Sequence, residues 1–217
     1  MAGRRAEGRQ LAREPTPDGL LPAELERQQE LAPPFVVGAE RQRPVEGPNP
    51  GAATQAEIEF VSLEEREKKL RVLLANLQTP YDYCIIDCPP SLGFLTLNAL
   101  VASDYLIIPL QCEYFALEGL AHLLNTVKLV RARMNPSLSL GGILLTMFDV
   151  RNRLSHRVVE EVRNHFSGKV FKTVIPRNVR ISESPSHGLP IILYDVKSRG
   201  AVAYMDLAHE ILYDGRA

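Results

Sequence analysis

Apolar and polar residues follow one another along this chain in blocks that predict strands separated by helices. Short, continuously apolar runs predict buried strands, and they occupy residues 84–87, 105–110, 140–147 and 170–175. Elsewhere apolar residues recur every three or four positions, which predicts amphipathic helices, at about 116–131, 154–166 and 198–213, with a shorter one after Gly93. Strands that alternate with helices predict an α/β fold, a mostly parallel sheet with helices on both faces.

The last helix and the segment before the first buried strand allow more detailed predictions. Four residues of the last helix share one face and are predicted to point inward: Ala201, Met205, Ala208 and Leu212. Ahead of the first buried strand, Ile58–Val61 predicts a short strand. Ser62 and Glu65 have the spacing of a capping box, which would open a helix that continues to about Leu77.

Residues 1–55 differ in composition from the rest of the chain. They hold half of the sixteen prolines and contain neither tyrosine nor lysine. So little apolar surface cannot offset the entropy of ordering the chain. We therefore expect a disordered segment over residues 1–55, followed by one α/β domain over residues 56–217.

Composition and charge narrow the class of protein. With 45% hydrophobic residues and no apolar run near the roughly 18 residues of a membrane span, the sequence predicts a globular protein. Cys84, Cys88 and Cys112 lack the spacing of a zinc site and are typical of small buried thiols. Residues 151–199 carry ten Lys/Arg against four Asp/Glu. Such an excess fits either a surface that binds a polyanion or an ordinary solvated face.

Polar residues that end apolar runs are the candidates for chemistry, because function in parallel sheets lies at the carboxyl ends of strands. These strand ends carry Asp87, Gln111, residues 147–149 and residues 176–178. Asp87 could serve a magnesium site or simply cap the next helix. Pro176 could pack on a flat base and Asn178 could pair with an adenine edge, although the same residues also suit an ordinary turn.

Several of these segments resemble one family. Residues 82–93, Asp-Tyr-Cys-Ile-Ile-Asp-Cys-Pro-Pro-Ser-Leu-Gly, resemble the switch II region of the ParA/Soj chromosome-partitioning ATPases. Further similarity follows in unbroken order between about residues 56 and 213, at 56–59, 97–100, 109–119, 175–180, 184–188 and 194–201. The resemblance implies a P-loop NTPase-like fold, with ATP and magnesium as cofactors. It further implies a nucleotide-bound homodimer, nonspecific DNA and a ParB-type protein as partners, and a cytoplasmic, nucleoid-associated location without a membrane.

Matched residue by residue, the resemblance also implies roles for side chains of this chain. Asp87 corresponds to the catalytic Walker B-like aspartate, which holds magnesium through water. Pro176 and Asn178 correspond to the adenine contacts. Three arginines correspond to the surface that binds DNA: Arg177, Arg180 and Arg199.

The sequence departs from the family pattern in one respect. The family begins with Lys-Gly-Gly-x-Gly-Lys-Thr-Thr, and this chain has no such loop; its only Gly-Lys pair, Gly168-Lys169, precedes Val170. A triphosphate without backbone N–H groups and a loop lysine lacks compensating charge. We therefore expect a domain truncated at its N-terminus and inactive as an ATPase as it stands. A genomic frameshift or false start would explain the arginine-rich, lysine-free residues 1–55.

Three functions remain open at this stage. The first is a ParA-type partition ATPase, and the second is a non-catalytic remnant of that fold that binds DNA or a partner. A MinD-like membrane ATPase is the third, but it requires a basic amphipathic helix at the C-terminus. Here residues 213–217, Tyr-Asp-Gly-Arg-Ala, directly follow a helix of the core type.

Overall fold

The computed structural model describes residues 36–39, 64–78, 81–89, 92–114 and 116–213. The predicted strand Ile58–Val61 and the capping residue Ser62 lie outside them. The strands are β1 Val36–Ala39, β2 Cys84–Asp87, β3 Tyr105–Gln111, β4 Ser139–Phe148 and β5 Val170–Pro176. The α-helices are α1 Lys69–Ala75, α2 Phe94–Ala102, α3 Ala116–Arg133, α4 Arg153–His165, α5 Val179–Glu183, α6 Ile191–Tyr194 and α7 Arg199–Tyr213, with 3-10 turns at Arg66–Lys68 and Ser184–His187.

The strands form one sheet in the order β2-β1-β3-β4-β5. β3, β4 and β5 pair in parallel, whereas β1 pairs antiparallel with both of its neighbours. Four of the five strands therefore run in one direction, which confirms the predicted α/β fold with a mostly parallel sheet.

β1 lies within the segment predicted to be disordered. Its backbone pairs with residues 84–87 on one side and with residues 105–107 on the other. The prediction of disorder therefore does not hold for Val36–Ala39, because two adjacent β-branched residues favour a strand even where the average composition is poor. The rest of residues 1–55 and the predicted domain boundary lie outside the described residues.

Both faces of the sheet are covered by helices. On one face, alternate β3 residues pack under α2, α3 and α4, and all three are completely buried: Leu106, Ile108 and Leu110. On the other face, Phe171 and Ile175 of β5 pack against Ala203 and Leu207 of α7. This alternation between faces is what a strand period of two requires. The strands thus deliver their carboxyl ends to one end of a well-covered sheet.

Two predicted helix details are wrong. In α7, Ala201 is buried as predicted, but Met205, Ala208 and Leu212 are exposed. The buried face instead consists of Gly200, Ala201, Ala203, Leu207 and Glu210. The small residues of this face let α7 approach β5 closely. Because α7 carries apolar residues on two faces, apolar periodicity alone did not identify the buried face correctly.

The first helix also starts later than the capping-box spacing predicts. Glu65 has a left-handed backbone, with φ of 49°, and its side chain makes no capping hydrogen bond. Helical structure begins at Arg66 as a 3-10 turn and continues as α1. Among the helices in the described ranges, none is long and apolar enough to cross a membrane.

Candidate functional site

The loops after β3, β4 and β5 meet at the carboxyl end of the sheet. The backbone N–H of Arg177 donates to the carbonyl of Phe148, at 2.9 Å, which joins the ends of β5 and β4. The backbone N–H of Cys112 donates to the carbonyl of Thr146, also at 2.9 Å, which joins the ends of β3 and β4. The predicted strand-end residues 111, 147–149 and 176–178 therefore lie on three adjacent strands.

Asn178 caps the short helix α5. Its side-chain oxygen accepts a hydrogen bond from the backbone N–H of Arg180, at 2.8 Å. This satisfies one of the N–H groups that a helix start leaves without a partner. The oxygen is thus already engaged, so the side-chain nitrogen is the group that Asn178 can offer to a ligand. Pro176, two residues earlier, ends β5 and is half-buried.

The arginines predicted to bind DNA differ in their surroundings. Arg177 forms an ion pair with Glu113 at 2.7 Å, and both side chains are about half exposed. Arg180 contacts Glu183 at 2.9 Å and Asp195 at 3.5 Å. The hydrogen bond to Glu183 raises the pKa of Arg180 above its usual range. Arg199 is exposed and forms no ion pair with the part of the chain that the structure describes.

A further charged pair lies at the end of β4. Arg151 donates from Nε and Nη2 to the two carboxylate oxygens of Asp149, each at 3.1 Å, and its backbone N–H adds a bond at 3.0 Å. These hydrogen bonds lower the pKa of Asp149 to about 2. The pair is solvent-exposed, so it contributes little to stability. It does fix a carboxylate and a guanidinium beside Arg177.

Asp87 lies at the carboxyl end of β2 and is exposed, as predicted. The prediction that it lies beside Pro176 and Asn178 is wrong, because β1, β3 and β4 separate β2 from β5. Four strand spacings of about 4.8 Å put these groups roughly 19 Å apart. Sequence identifies strand ends but not the order of strands in the sheet, which is why this distance could not be anticipated.

Two features of the site were missed by sequence reasoning. Glu113 lies two residues beyond β3, and its partner Arg177 is 64 positions away in the sequence. Met147 has a left-handed backbone, with φ of 54°, close to where the register between β4 and β5 shifts. Such a conformation is strained for a residue with a side chain. The only available signal was that both residues lie near strand ends.

The described residues offer more contacts to the base of a nucleotide than to the magnesium ion at its phosphates. A base could meet Pro176 and the side-chain nitrogen of Asn178, whereas one exposed carboxylate, Asp87, is the group predicted to face magnesium. No group of three or more His, Cys, Asp or Glu side chains that could hold a metal occurs among the described residues. The three cysteines are free thiols.

Comparison with known proteins identifies a family model and several relatives that are similar to this chain. A family model described as AAA domain matches residues 50–140. The sporulation initiation inhibitor protein Soj of Bacillus subtilis (strain 168) is 59% identical over 160 residues, which cover 74% of this chain and 63% of that protein. The chromosome partitioning protein ParA of Myxococcus xanthus (strain DK1622) is 57% identical over 159 residues, or 73% of this chain and 56% of that protein.

A solved structure extends the comparison to the fold. Cobyrinic acid a,c-diamide synthase from Mycobacterium smegmatis, with bound ADP and magnesium, matches with a TM-score of 0.62 and 36% identity, over 76% of this chain and 60% of that one. Together with the parallel sheet and its strand-end loops, this defines an α/β protein of the P-loop NTPase class. Within that class, the chain belongs to the ParA/Soj family of chromosome-partitioning ATPases. It spans 63% and 56% of the lengths of Soj and ParA.

Proposed function

We propose that this chain serves chromosome or plasmid partitioning as a ParA-type protein that binds DNA on the nucleoid and acts with a ParB-type partner. The observation that carries the proposal is 59% identity to Soj over 160 residues. Within the family pattern, ATP would support a homodimer that presents two DNA-binding faces together. The alternative is a non-catalytic remnant that binds DNA or a partner, and it is favoured by the lack of a phosphate-binding loop in this sequence.

Nucleotide binding is the first part of the proposal. The base would lie against Pro176 and receive a hydrogen bond from the side-chain nitrogen of Asn178. Magnesium, when bound, would neutralise phosphate charge, held through water by Asp87. The separation of about 19 Å between the two ends demands an extended nucleotide that runs across the carboxyl ends of the strands. Because this sequence contains no Lys-Gly-Gly-x-Gly-Lys-Thr-Thr motif, we expect this chain by itself to bind nucleotide weakly.

Asn178 allows a sharp test of the base contact. The variant Asn178→Asp keeps an oxygen that can cap α5 but removes the side-chain N–H donor. We expect it to retain stability and to weaken binding of a fluorescent ATP analogue by about tenfold, the effect of one good hydrogen bond. Asn152→Asp, which changes the cap of α4 in the same way, is the matched control. Equal affinity in all three proteins would remove Asn178 from the site.

DNA binding is the second part of the proposal. The ion pairs of the three arginines determine how readily each can bind a DNA phosphate. A phosphate must compete with Glu113 for Arg177, and with Glu183 and Asp195 for Arg180. Arg199 faces no such competition within the described ranges. We therefore infer that Arg199 contributes most per side chain to DNA binding by the free chain.

Fluorescence anisotropy with a random-sequence duplex tests this inference over a salt series, with and without ATP. We expect nonspecific dissociation constants on the order of 10⁻⁴ M or weaker at physiological salt, which weaken further as salt rises because each phosphate contact releases counterions. Arg199→Ala should weaken binding, whereas Arg133→Ala, at the far end of α3, should not. Tight binding that depends on ATP would contradict the expected loss of nucleotide function. No binding at low salt would mean that these arginines form only a solvated surface.

A further inference from the structure

The pairing of β4 with β5 is irregular in a specific way. Ile143 is opposite Val170 and Leu145 is opposite Val174, so two steps along β4 correspond to four along β5. β5 therefore carries two extra residues between these points, a bulge. We call residues 171–173 the β5 bulge. A second shift follows, in which three steps on β4 from Leu145 to Phe148 correspond to two on β5, so the net excess of β5 at Pro176 is one residue.

A buried carboxylate occupies the outer side of the bulge. Glu210 of α7 is only 4% exposed. Its two oxygens accept hydrogen bonds from successive backbone N–H groups, Lys172 at 2.7 Å and Thr173 at 2.9 Å. Successive N–H groups of a regular strand point to opposite sides, so both can reach one carboxylate only because the strand is bulged. Hydrogen bonds to a charged acceptor are among the stronger ones.

The other sides of the bulge are also fixed. Phe171 is completely buried, and a Cβ on Gly142 of β4 would lie 2.5 Å from its ring. The ring thus occupies space that only a glycine leaves open. The carbonyl of Lys172 accepts a hydrogen bond from Nη2 of Arg163 on α4, at 3.3 Å. Among these contacts, only Glu210 accepts hydrogen bonds from the backbone N–H groups of Lys172 and Thr173.

We infer that Glu210 is a positioning residue for the turn at residues 176–178. Its carboxylate holds the β5 bulge, and the bulge determines the register in which Pro176 and Asn178 reach the carboxyl end of the sheet. Regular pairing from Ile143 and Val170 onward would put Phe148 opposite Ile175 instead of Pro176, which displaces that turn by one residue, or about 3.3 Å along the strand. The consequence for base binding rests on the proposed nucleotide function, whereas control of the bulge does not.

Amide hydrogen exchange, measured by NMR, tests the first step. In Glu210→Gln, the side chain keeps one acceptor and presents an NH₂ group to the second backbone donor. We expect exchange at Lys172 and Thr173 to quicken by about tenfold, as befits a lost hydrogen bond, with smaller changes elsewhere. Asp206→Asn, one turn earlier on α7 and exposed, is the control and should leave both amides protected. Unchanged exchange in Glu210→Gln would overturn the inference.

The wild-type chain provides a second test that does not require the variant to fold. Scalar couplings across hydrogen bonds should connect the amide nitrogens of Lys172 and Thr173 with the carboxyl carbon of Glu210. Detection of both couplings would show that the Glu210 carboxylate accepts hydrogen bonds from both N–H groups and so supports its role in holding the β5 bulge. Their absence in a sample that is otherwise well folded would overturn it.

Ligand binding tests the second step. We expect Glu210→Gln to bind ATP about tenfold more weakly than Asp206→Asn, since a displaced turn loses its base contact. Affinity for inorganic tripolyphosphate should be the same in both variants, which a general loss of structure would not produce. Equal ATP affinities would overturn the positioning role. Absence of ATP binding by the wild-type chain would overturn the proposed nucleotide function and base positioning with it, while exchange still decides whether Glu210 holds the bulge.

Discussion

β2 and β3 run in the same direction in one sheet, yet their burial is very different. In β3, Leu106, Ile108 and Leu110 have no exposed surface. In β2 no residue is buried in the described structure, and Ile85 is 74% exposed. The difference arises because helices of the described structure cover both faces of the β3, β4 and β5 part of the sheet, whereas they leave Ile85 of β2 in solvent. Apolar burial, the main stabilising term, is therefore concentrated in one half of the sheet.

The helices of the two halves repeat this contrast. α3 buries Leu120, Leu123, Val127 and Val130, whereas no residue of α1 is buried against the described part of the chain. Val72 and Leu73 of α1 are more than half exposed. We conclude that β3, β4 and β5 with their helices form the stable unit of the fold. The β2 side should be the part that opens first.

The largest expected effect compares two isoleucines on these strands. Ile108→Ala should destabilise the protein by about 2–5 kcal/mol, because it removes buried apolar groups and leaves a cavity. Ile85→Ala should stay within about 0.5 kcal/mol, since the side chain is mostly in water. Urea unfolding of both variants measures the difference. A cost for Ile85→Ala close to that of Ile108→Ala would show that β2 is covered in solution and would break the comparison.

Thiol chemistry provides a second contrast, in reaction rate. Burial raises the pKa of Cys112 to about 11 and that of Cys88 to about 12, and raises the pKa of half-buried Cys84 as well. At pH 8, a thiol with a pKa of about 11 is ionised in only about one molecule in a thousand, and the thiolate is the reactive form.

We therefore expect an alkylating reagent to modify Cys84 of β2 first, by up to about a hundredfold over Cys112. Mass spectrometry of peptides taken over time measures the three rates. Since all three pKa values lie above pH 8, each rate should increase as pH rises from 7 to 9. Cys84→Ser should abolish the fast phase, and equal rates at Cys84 and Cys112 would contradict the difference between the two halves.

The apolar pattern predicted most of the stable half. Strands at 84–87, 105–110, 140–147 and 170–175 lie within one or two residues of β2, β3, β4 and β5. β3, β4 and β5 were predictable because burial on both faces requires long, continuous apolar runs, and β2 was predictable because its short apolar run stops at Asp87. β1 was not, since four residues of ordinary composition gain their structure from backbone pairing with distant strands.

The candidate site was only partly predictable, for a related reason. Each polar residue at a strand end can be found in the sequence, because an apolar run stops there. The order of strands in the sheet cannot be found in the sequence, and this order places three strands between Asp87 and Asn178. Contacts such as Arg177 with Glu113, or Glu210 with Thr173, join residues at least 37 positions apart. Only the folded sheet brings them together.

The third prediction concerns packing within the stable half. Gly142→Ala should destabilise the protein by about 1–3 kcal/mol, because the new Cβ would lie 2.5 Å from the Phe171 ring and must displace it. The smaller side chain in Gly142→Ala/Phe171→Leu should relieve the clash. The double variant should therefore be less destabilised than the sum of the two single ones. Additive costs in urea unfolding would mean that the ring and the glycine do not share this space.

The smallest expected effect compares the starts of two helices, one in each half. Asn152 caps α4, its side-chain oxygen accepting from the N–H of Leu154 at 3.0 Å, whereas Glu65 makes no capping bond before α1. Asn152→Ala should cost about 1 kcal/mol, and Asn152→Ser, which can still cap, should cost less. Glu65→Ala should stay within about 0.5 kcal/mol. It loses only the exposed ion pair with Lys68, which at the surface is worth little.

Glu65→Gly sharpens this last comparison, because Glu65 has a left-handed backbone that glycine adopts without steric cost. Relief of that strain opposes the greater entropy of glycine in the unfolded chain, so we expect the net change again to be below about 1 kcal/mol. Urea unfolding of all four variants under one buffer condition measures the set. A cost for Glu65→Ala that matches Asn152→Ala would mean that the start of α1 is as firmly fixed as that of α4. The stable unit would then extend across β1 to the β2 side of the sheet.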